Sequence, residues 1–545
     1  MNPLVSARLA RSFEQPAFIS VLSDDEVLAY AGGSGPLAGL TFAVKDNIDL
    51  AGLPTTAADP RRTTPAAASA YAVSRLVAAG AVPIGKTNLD QYATGLVGTR
   101  SPYGACHSIF SPDHVSGGSS SGSAVAVAAG VVDFALATDT AGSGRVPAAF
   151  NGLVGVKPSR GLVSTSGVVP ACASLDCVSV LAGSVGVARR AFDALAAYDA
   201  ADPYSRVLVS ASRPAATRIG VPDRPLGLDP VHEKAWLAAL DRAGDLGTVV
   251  PVDVSVLLET ATLLYAGPWL AERYLTFGSA LVDDPAVDPA VREIVTGAVG
   301  LTAVDAFAGF QRLASLARAA APIWDAVDAL LLPVTPTHPR LAEVAADPIG
   351  VNSRLGRFTN MTNLLDLCAV AVPGEGRSDG LPFGVQLLAP AGHDGLLLDL
   401  AAVWCREPVG PVEPAGVVLA VAGAHLTGQP LNGDLVSREA SFVETTRTAA
   451  GYRMFVVDGP VPRPGVTRTA TAGATEDGLE VELWRIPEER LGGFLATVAA
   501  PLAVGPVELA SGEWVLGFVC TADAVDPARE ITSYGGWRGW LSAHA

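Results

Sequence analysis

The chain has 545 residues, 49% hydrophobic and 17% charged, a globular composition too long for one ordinary core, so about two to four domains are expected. Its 54 acidic and 37 basic residues leave a net charge of −17, which argues against a nucleic-acid surface but permits a local basic pocket for a small anion. No stretch reaches the roughly 20 apolar residues of a membrane helix, and Arg8 and Arg11 stand where a signal peptide would need an apolar core, so a cytoplasmic protein is expected.

In chain order, the N-terminal segment reads as mostly helical and ends in the turn-rich AGGSGPLAG. LTFAVKDNIDL alternates like a strand and turns at Ala51-Gly52; residues 70–79 read as a helix. A short strand, AVPIG, then leads into a second polar stretch, KTNLDQYATG. Short apolar strands continue to alternate with Ala-rich helices to about Leu400, which is α/β patterning. REPVGPVEPAG reads as a linker, placed at 409–415 between domains 1–408 and 416–545. After it strand-like runs dominate (VVLAVAG, YRMFVV, LEVELW, GEWVLGFVC), and a smaller α+β domain is expected. In LEVELW, Glu480 and Glu482 alternate with Val481 and Leu483, as on a half-exposed strand.

The cysteines Cys106, Cys172, Cys177, Cys368, Cys405 and Cys520 are scattered in apolar surroundings and read as reduced thiols. No Cys pair or His pattern has zinc spacing, so neither a metal nor another cofactor is expected.

The chemistry concentrates in residues 117–147, GGSSSGSAVAVAAGVVDFALATDTAGSGRVP. A Gly/Ser cluster alone reads as flexible linker, but this one runs straight into an Ala/Val helix, then a strand and a tight turn. Gly118-Ser119-Ser120-Ser121-Gly122 also fits the G-x-S-x-G elbow, which would make Ser120 a nucleophile. That elbow needs a strand before it and a partnered histidine after it. ACHSIFSPDHVSG is not a convincing strand, and His338 and His393 lie in loops with no evident partner.

The block, with VKDN upstream, resembles the amidase signature family over residues from about 36 to 400. Ala137 departs from the family's usual glycine. The resemblance implies a mixed-sheet core surrounded by helices, with Lys45 as base, Ser119 as a bridging serine in a cis peptide, and Ser143 as nucleophile. It implies an oxyanion hole from the N–H groups of Thr140, Ala141, Gly142 and Ser143, with Asp139 and Arg145 bracing the turn as an ion pair. The chemistry is coherent: an amide needs a deprotonated nucleophile and a stabilised oxyanion. A lysine can take that proton only when burial lowers its pKa by roughly three units, about 4 kcal/mol. Phe42, Ala43, Val44 and Ile48 supply a dry setting.

Within the family, TAGSGRVPA and LVSTSGVVPACASLDCVSV resemble the allophanate hydrolases more than the tRNA-linked amidotransferases. The resemblance makes Tyr265 and Arg273 substrate-binding residues, an Arg fork being suited to the carboxylate of a small anionic amide. Pro268 interrupts the segment, so spacing does not establish that the two converge. VVLAVAGAHLTGQPLN and ITSYGGWRGWL resemble that group's additional domain, of γ-glutamyl-cyclotransferase-like fold, linked to decarboxylation of the first product. There His425 is the candidate acid/base or anion binder; Glu482 reads as an exposed strand residue, and Tyr534 to Arg538 as a docking terminus. The resemblance also implies a homodimer. None of Met1, Met361 and Met454 adjoins a lysine, so no biotinyl-lysine motif is present, and a separate urea carboxylase is expected to supply substrate. A general amidase or ureide hydrolase with an appended domain is the nearest alternative, and a catalytically silent scaffold the remote one.

Overall fold

The computed structural model describes residues 2–208, 214, 216–281, 284–408, 416–438, 440–457, 463–469 and 477–544. The chain divides into two compact units, Met1–Gly410 and Pro411–Ala545. The segment read as a linker, 409–415, lies outside the described residues.

The first unit is built on eleven strands: β1 (Phe18–Val21), β2 (Thr41–Lys45), β3 (Val82–Thr87), β4 (Phe134–Thr138), β5 (Val154–Lys157), β6 (Val178–Ala182), β7 (Arg218–Pro222), β8 (Thr248–Val252), β9 (Ala329–Pro333), β10 (Leu367–Pro373) and β11 (Gly384–Pro390). They form one mixed sheet in the order β1-β3-β2-β4-β6-β5-β10-β11-β9-β7-β8. Strand β2 runs parallel to both β3 and β4, so their C-terminal ends open on the same side.

Every residue of β2, β3 and β4 is buried, as expected of strands shielded on both faces, which read as near-continuous apolar runs rather than alternating ones. The helix Ser121–Ala128 is almost wholly buried and made of small residues, which let it lie close to its neighbours. A Cβ at Gly122 would stand 2.2 Å from the Ala17 carbonyl oxygen and 2.6 Å from the Asn88 nitrogen, so only glycine fits there.

One expectation needs correction at the N-terminus. Helices span Pro3–Ser12 and Asp24–Tyr30, but β1 lies between them and pairs antiparallel with β3 at the sheet edge. The short apolar run FISV gains a paired edge there, which so short an isolated helix could not offer.

The second unit is α+β. Strands β12 (Val417–Val421), β13 (Ser441–Arg447), β16 (Glu480–Ile486), β17 (Leu502–Glu508) and β18 (Trp514–Cys520) form a sheet ordered β13-β16-β12-β18-β17, beside a ribbon of β14 (Tyr452–Val457) and β15 (Arg463–Arg468). The alternation in LEVELW does not give a half-exposed strand: β16 lies between β13 and β12, and Glu482 is only 2% exposed. Its carboxylate accepts from the Thr427 N–H (2.8 Å), the Trp484 indole (3.0 Å) and Arg538 (2.6 Å), so the side read as solvent-facing is covered. Arg538 also reaches Glu480 at 3.1 Å, and the terminal helix Trp537–His544 is docked by these bonds.

Candidate active site

Three chain segments meet beyond the parallel ends of β2 and β4. Lys45 closes β2, Thr138 closes β4, and Ser119 follows a cis Gly118–Ser119 peptide just before the helix Ser121–Ala128. Lys45 is 0% exposed, with Nζ 2.8 Å from Ser119 Oγ, 2.7 Å from Thr138 Oγ1 and 3.4 Å from the Thr138 carbonyl oxygen. Burial pulls its pKa from 10.5 down to about 7; the carboxylates of Asp90, Asp176 and Asp139 oppose that pull, and Arg273 adds to it. An amine so placed is neutral in a large fraction of molecules at neutral pH and can take a proton.

Ser143 lies in the turn that enters the helix Arg145–Phe150. Its hydroxyl points to the Gly95 carbonyl (3.4 Å) and makes no hydrogen bond to Ser119 in this geometry. Its own carbonyl accepts from the Ser120 N–H at 3.3 Å. Ser120 Oγ is committed to the Thr138 carbonyl (3.3 Å), and the segment before it has no strand, only isolated bridges of His107 with Val115 and of His114 with Arg340, so the elbow reading is excluded. His338 is spent on packing, its ring stacked on Phe150 at 3.9 Å and its Nε2 on the Val115 carbonyl.

The turn 139–145 is held from within. Asp139 accepts from the Gly142 N–H (2.8 Å), the Gly144 N–H (3.2 Å), and both Nε and Nη2 of Arg145 (2.9 Å each). Burial works against the charged Asp139, but the Arg145 guanidinium outweighs it and holds the carboxyl below its ordinary range. Arg145 continues to Thr362 Oγ1 (2.8 Å) and Gln386 Oε1 (2.9 Å).

This overturns one oxyanion donor. The Gly142 N–H is taken by Asp139, which leaves the N–H groups of Thr140, Ala141 and Ser143 without an acceptor among the described residues. Gly142 is still required: its φ is +127°, and a Cβ would stand 2.4 Å from Thr359 Oγ1. Thr359 in turn donates to the Ala141 carbonyl at 2.6 Å.

Tyr265 and Arg273 lie on successive helices, Ser255–Ala266 and Leu270–Leu281, and the bend between them brings the two side chains together. The guanidinium carbon lies 5.8 Å from the tyrosine ring centroid. Arg273 is 3% exposed and donates to Thr94 Oγ1 (2.9 Å), while Tyr265 packs with Ala141, Cys172 and Trp269. A buried cation thus stands beside the turn that carries Ser143.

Sequence reasoning missed several residues here. Thr138 orients Lys45, and Asn47 donates to Thr138 Oγ1 at 3.2 Å. Asp176 accepts from the Thr140 hydroxyl, and Asn363 donates to the Asp139 carbonyl at 2.7 Å. KTNLDQYATG was legible only as a polar stretch; it delivers Asp90, Thr94 and Gly95, and Asp90 accepts from the N–H groups of Gly98 (3.0 Å) and Arg100 (2.9 Å).

In the second unit His425 follows β12 and lines a cavity with Asp434, Arg463, Thr497 and Phe518. Its ring is stacked on Phe518 at 5.0 Å and meets the edge of Phe494 at 5.4 Å. Burial lowers its pKa, Asp434 opposes this, and Arg438 adds to it. Among the described residues no group of His, Cys, Asp and Glu is arranged to hold a metal ion, and no single helix is long and apolar enough to cross a membrane.

Comparison with known proteins agrees with both units. The amidase family pattern matches residues 18–398, and the allophanate hydrolase C-terminal domain matches 417–542. Urea amidolyase of Saccharomyces cerevisiae is 41% identical over 93% of this chain, and that of Lachancea kluyveri 40% identical over 97%. The chain spans only 30% and 31% of those two proteins. The structure of Kluyveromyces lactis allophanate hydrolase superposes with a TM-score of 0.76 at 39% identity, covering 100% of this chain and 97% of that one. A glutamyl-tRNA(Gln) amidotransferase subunit of Symbiobacterium thermophilum is 34% identical, but over only 69% of this chain and 83% of that protein. The chain therefore belongs to the amidase family of amidohydrolases, with an allophanate hydrolase C-terminal domain following its amidase unit.

Proposed function

We propose that the protein is an allophanate hydrolase acting through Ser143, Ser119 and Lys45. The observation that carries this reading is the buried Arg273, stacked on Tyr265 beside the Ser143 turn. A neutral amide can offer a desolvated guanidinium only a carbonyl acceptor, whereas the carboxylate of allophanate offers it a counter-charge and two acceptor oxygens.

Ser143 Oγ attacks the terminal amide carbon as its proton passes to Ser119 and the Ser119 proton to the neutral Lys45. For this the Ser143 hydroxyl leaves the Gly95 carbonyl and turns toward Ser119. The carbonyl oxygen becomes an anion received by the N–H groups of Thr140, Ala141 and Ser143. Collapse breaks the C–N bond, and the proton held on Lys45 returns through Ser119 to the departing ammonia. Water, deprotonated along the same path, hydrolyses the acyl-Ser143 and releases N-carboxycarbamate. The second unit then decarboxylates that product, with His425 as acid/base, to give carbon dioxide and carbamate, and the carbamate breaks down in water to a second carbon dioxide and the second ammonia.

In this reading the protein serves urea degradation and nitrogen assimilation as a cytoplasmic homodimer. Its substrate comes from a urea carboxylase carried on a separate protein. The test is modification by a fluorophosphonate and mapping of the adduct. The proposal expects the label on Ser143, and loss of both labelling and turnover in Lys45→Ala. Turnover close to wild type in Lys45→Ala or Ser143→Ala would end it.

A further inference from the structure

The cavity of the second unit has an uneven wall. Val421, Leu431, Val466, Leu502 and Phe518 make it largely apolar, and its cation is Arg463, at the start of β15. Arg463 is under-used by the fold. Nη2 donates to the Ala500 carbonyl at 3.2 Å, but Nε is buried with no partner among the described residues. A buried guanidinium N–H left open is costly unless something else fills it. The ring nitrogens of His425 have no hydrogen-bond partner among the described residues, so the cavity is lined by two residues whose polar side chains the fold leaves only partly engaged. Asp434, the carboxylate of the wall, is 46% exposed in its side chain and stands 3.9 Å from Arg438, so solvent and a cation both weaken its repulsion of an anion.

We propose that Arg463 binds one carboxylate of a small planar dicarboxylate in this cavity and leaves the second carboxylate against the apolar wall, beside His425. The proposal rests on the reading that this unit decarboxylates N-carboxycarbamate, and it names the residue that chooses which carboxylate is lost. The group paired with Arg463 keeps its charge and stays. The other is stripped of water among aliphatic side chains, where losing charge as neutral carbon dioxide is favoured. As the C–N bond breaks, its electron pair goes to nitrogen, which takes a proton from protonated His425 or from water it orients. The products are carbon dioxide and carbamate, and no oxidant or cofactor is needed.

The experiment follows carbon-13-labelled allophanate through the full-length protein by NMR, reading the first ammonia and the carbon dioxide separately. In Arg463→Leu the first ammonia is expected at the wild-type rate, with N-carboxycarbamate accumulating and carbon dioxide release slowed at least about tenfold. Arg463→Lys, which keeps the charge and is less disruptive to the ribbon, is expected to fall between Leu and wild type. Malonate, the methylene counterpart of the proposed ligand, should slow carbon dioxide release in wild type more than in Arg463→Leu. Wild-type carbon dioxide release in both Arg463 variants, with His425→Asn slow, would overturn the role of Arg463 alone. Wild-type release in Arg463→Leu and His425→Asn together would overturn the assignment of decarboxylation to this unit as well.

Discussion

Burying Lys45 has a cost that can be measured alongside its use. A fall of its pKa from 10.5 to about 7 corresponds to about 5 kcal/mol of preference for the neutral amine. The folded value lies below the unfolded one, so between about 7 and 10.5 the unfolded chain binds more protons, and stability rises with pH across that window. Replacing Lys45 by Met keeps the volume and removes the titration. It also leaves the Ser119 and Thr138 hydroxyls short of a partner, a penalty that does not depend on pH. The comparison to make is therefore of slopes. Between pH 6.5 and 9 the wild type should gain about 2–3 kcal/mol of stability relative to Lys45→Met. Below pH 7 the rate of Ser143 phosphonylation should fall in wild type with a slope that approaches tenfold per pH unit, and it should be nearly absent in the variant. Urea unfolding at the two pH values and a labelling time course supply both numbers. Parallel stability curves, or a labelling rate that is flat from pH 6 to 8, would refute the claim that a desolvated Lys45 is the base.

Other outcomes follow from the same geometry. Arg273→Ala should raise the KM for allophanate roughly tenfold to a hundredfold and leave that for an uncharged amide nearly unchanged, which steady-state kinetics on the two substrates will check. Asp139→Asn strips the buried Arg145 of its counter-charge and sets an amide NH2 against the donors that Oδ2 now receives, the Gly144 N–H and Arg145 Nε; a stability loss of about 3–5 kcal/mol by denaturant titration and a fall in kcat are expected. Glu482→Gln should destabilise the second unit by about 3 kcal/mol. Burial opposes the charged Glu482, yet Arg538 and its other donors hold the carboxyl below its ordinary value. The stability it contributes is present above about pH 4.5 and lost as pH falls through the folded value, so the variant should show a flatter acid limb in thermal melts of the full chain.

The parts legible in the sequence were those where chemistry dictates residue type at fixed spacing. VKDN, the serine-glycine run and TAGSGR are local, and it was their resemblance to the amidase signature that let Lys45, Ser119 and Ser143 be named as candidates without coordinates. Thr359, Asn363 and Gln386 reach the site from far downstream in the chain, and no periodicity announces them. The Gly142 donor was misread because spacing shows that a turn offers several N–H groups and not that a nearby carboxylate, Asp139, folds back to take one. Glu482 was misread for a related reason: alternation reports which side chains share a strand face, while the helix that covers this face comes only at the chain's end. Arg463 carried no signal at all, since only the cavity shows it to be under-partnered.

The central claim is that this amidase unit acts on allophanate and that the second unit completes the reaction. Ammonia counted per molecule of allophanate consumed by the purified full-length protein tests it most directly. The account predicts two ammonia per allophanate from wild type, and none from Ser143→Ala. Inert allophanate beside rapid turnover of a simple amide, or undiminished ammonia from Ser143→Ala, would contradict it.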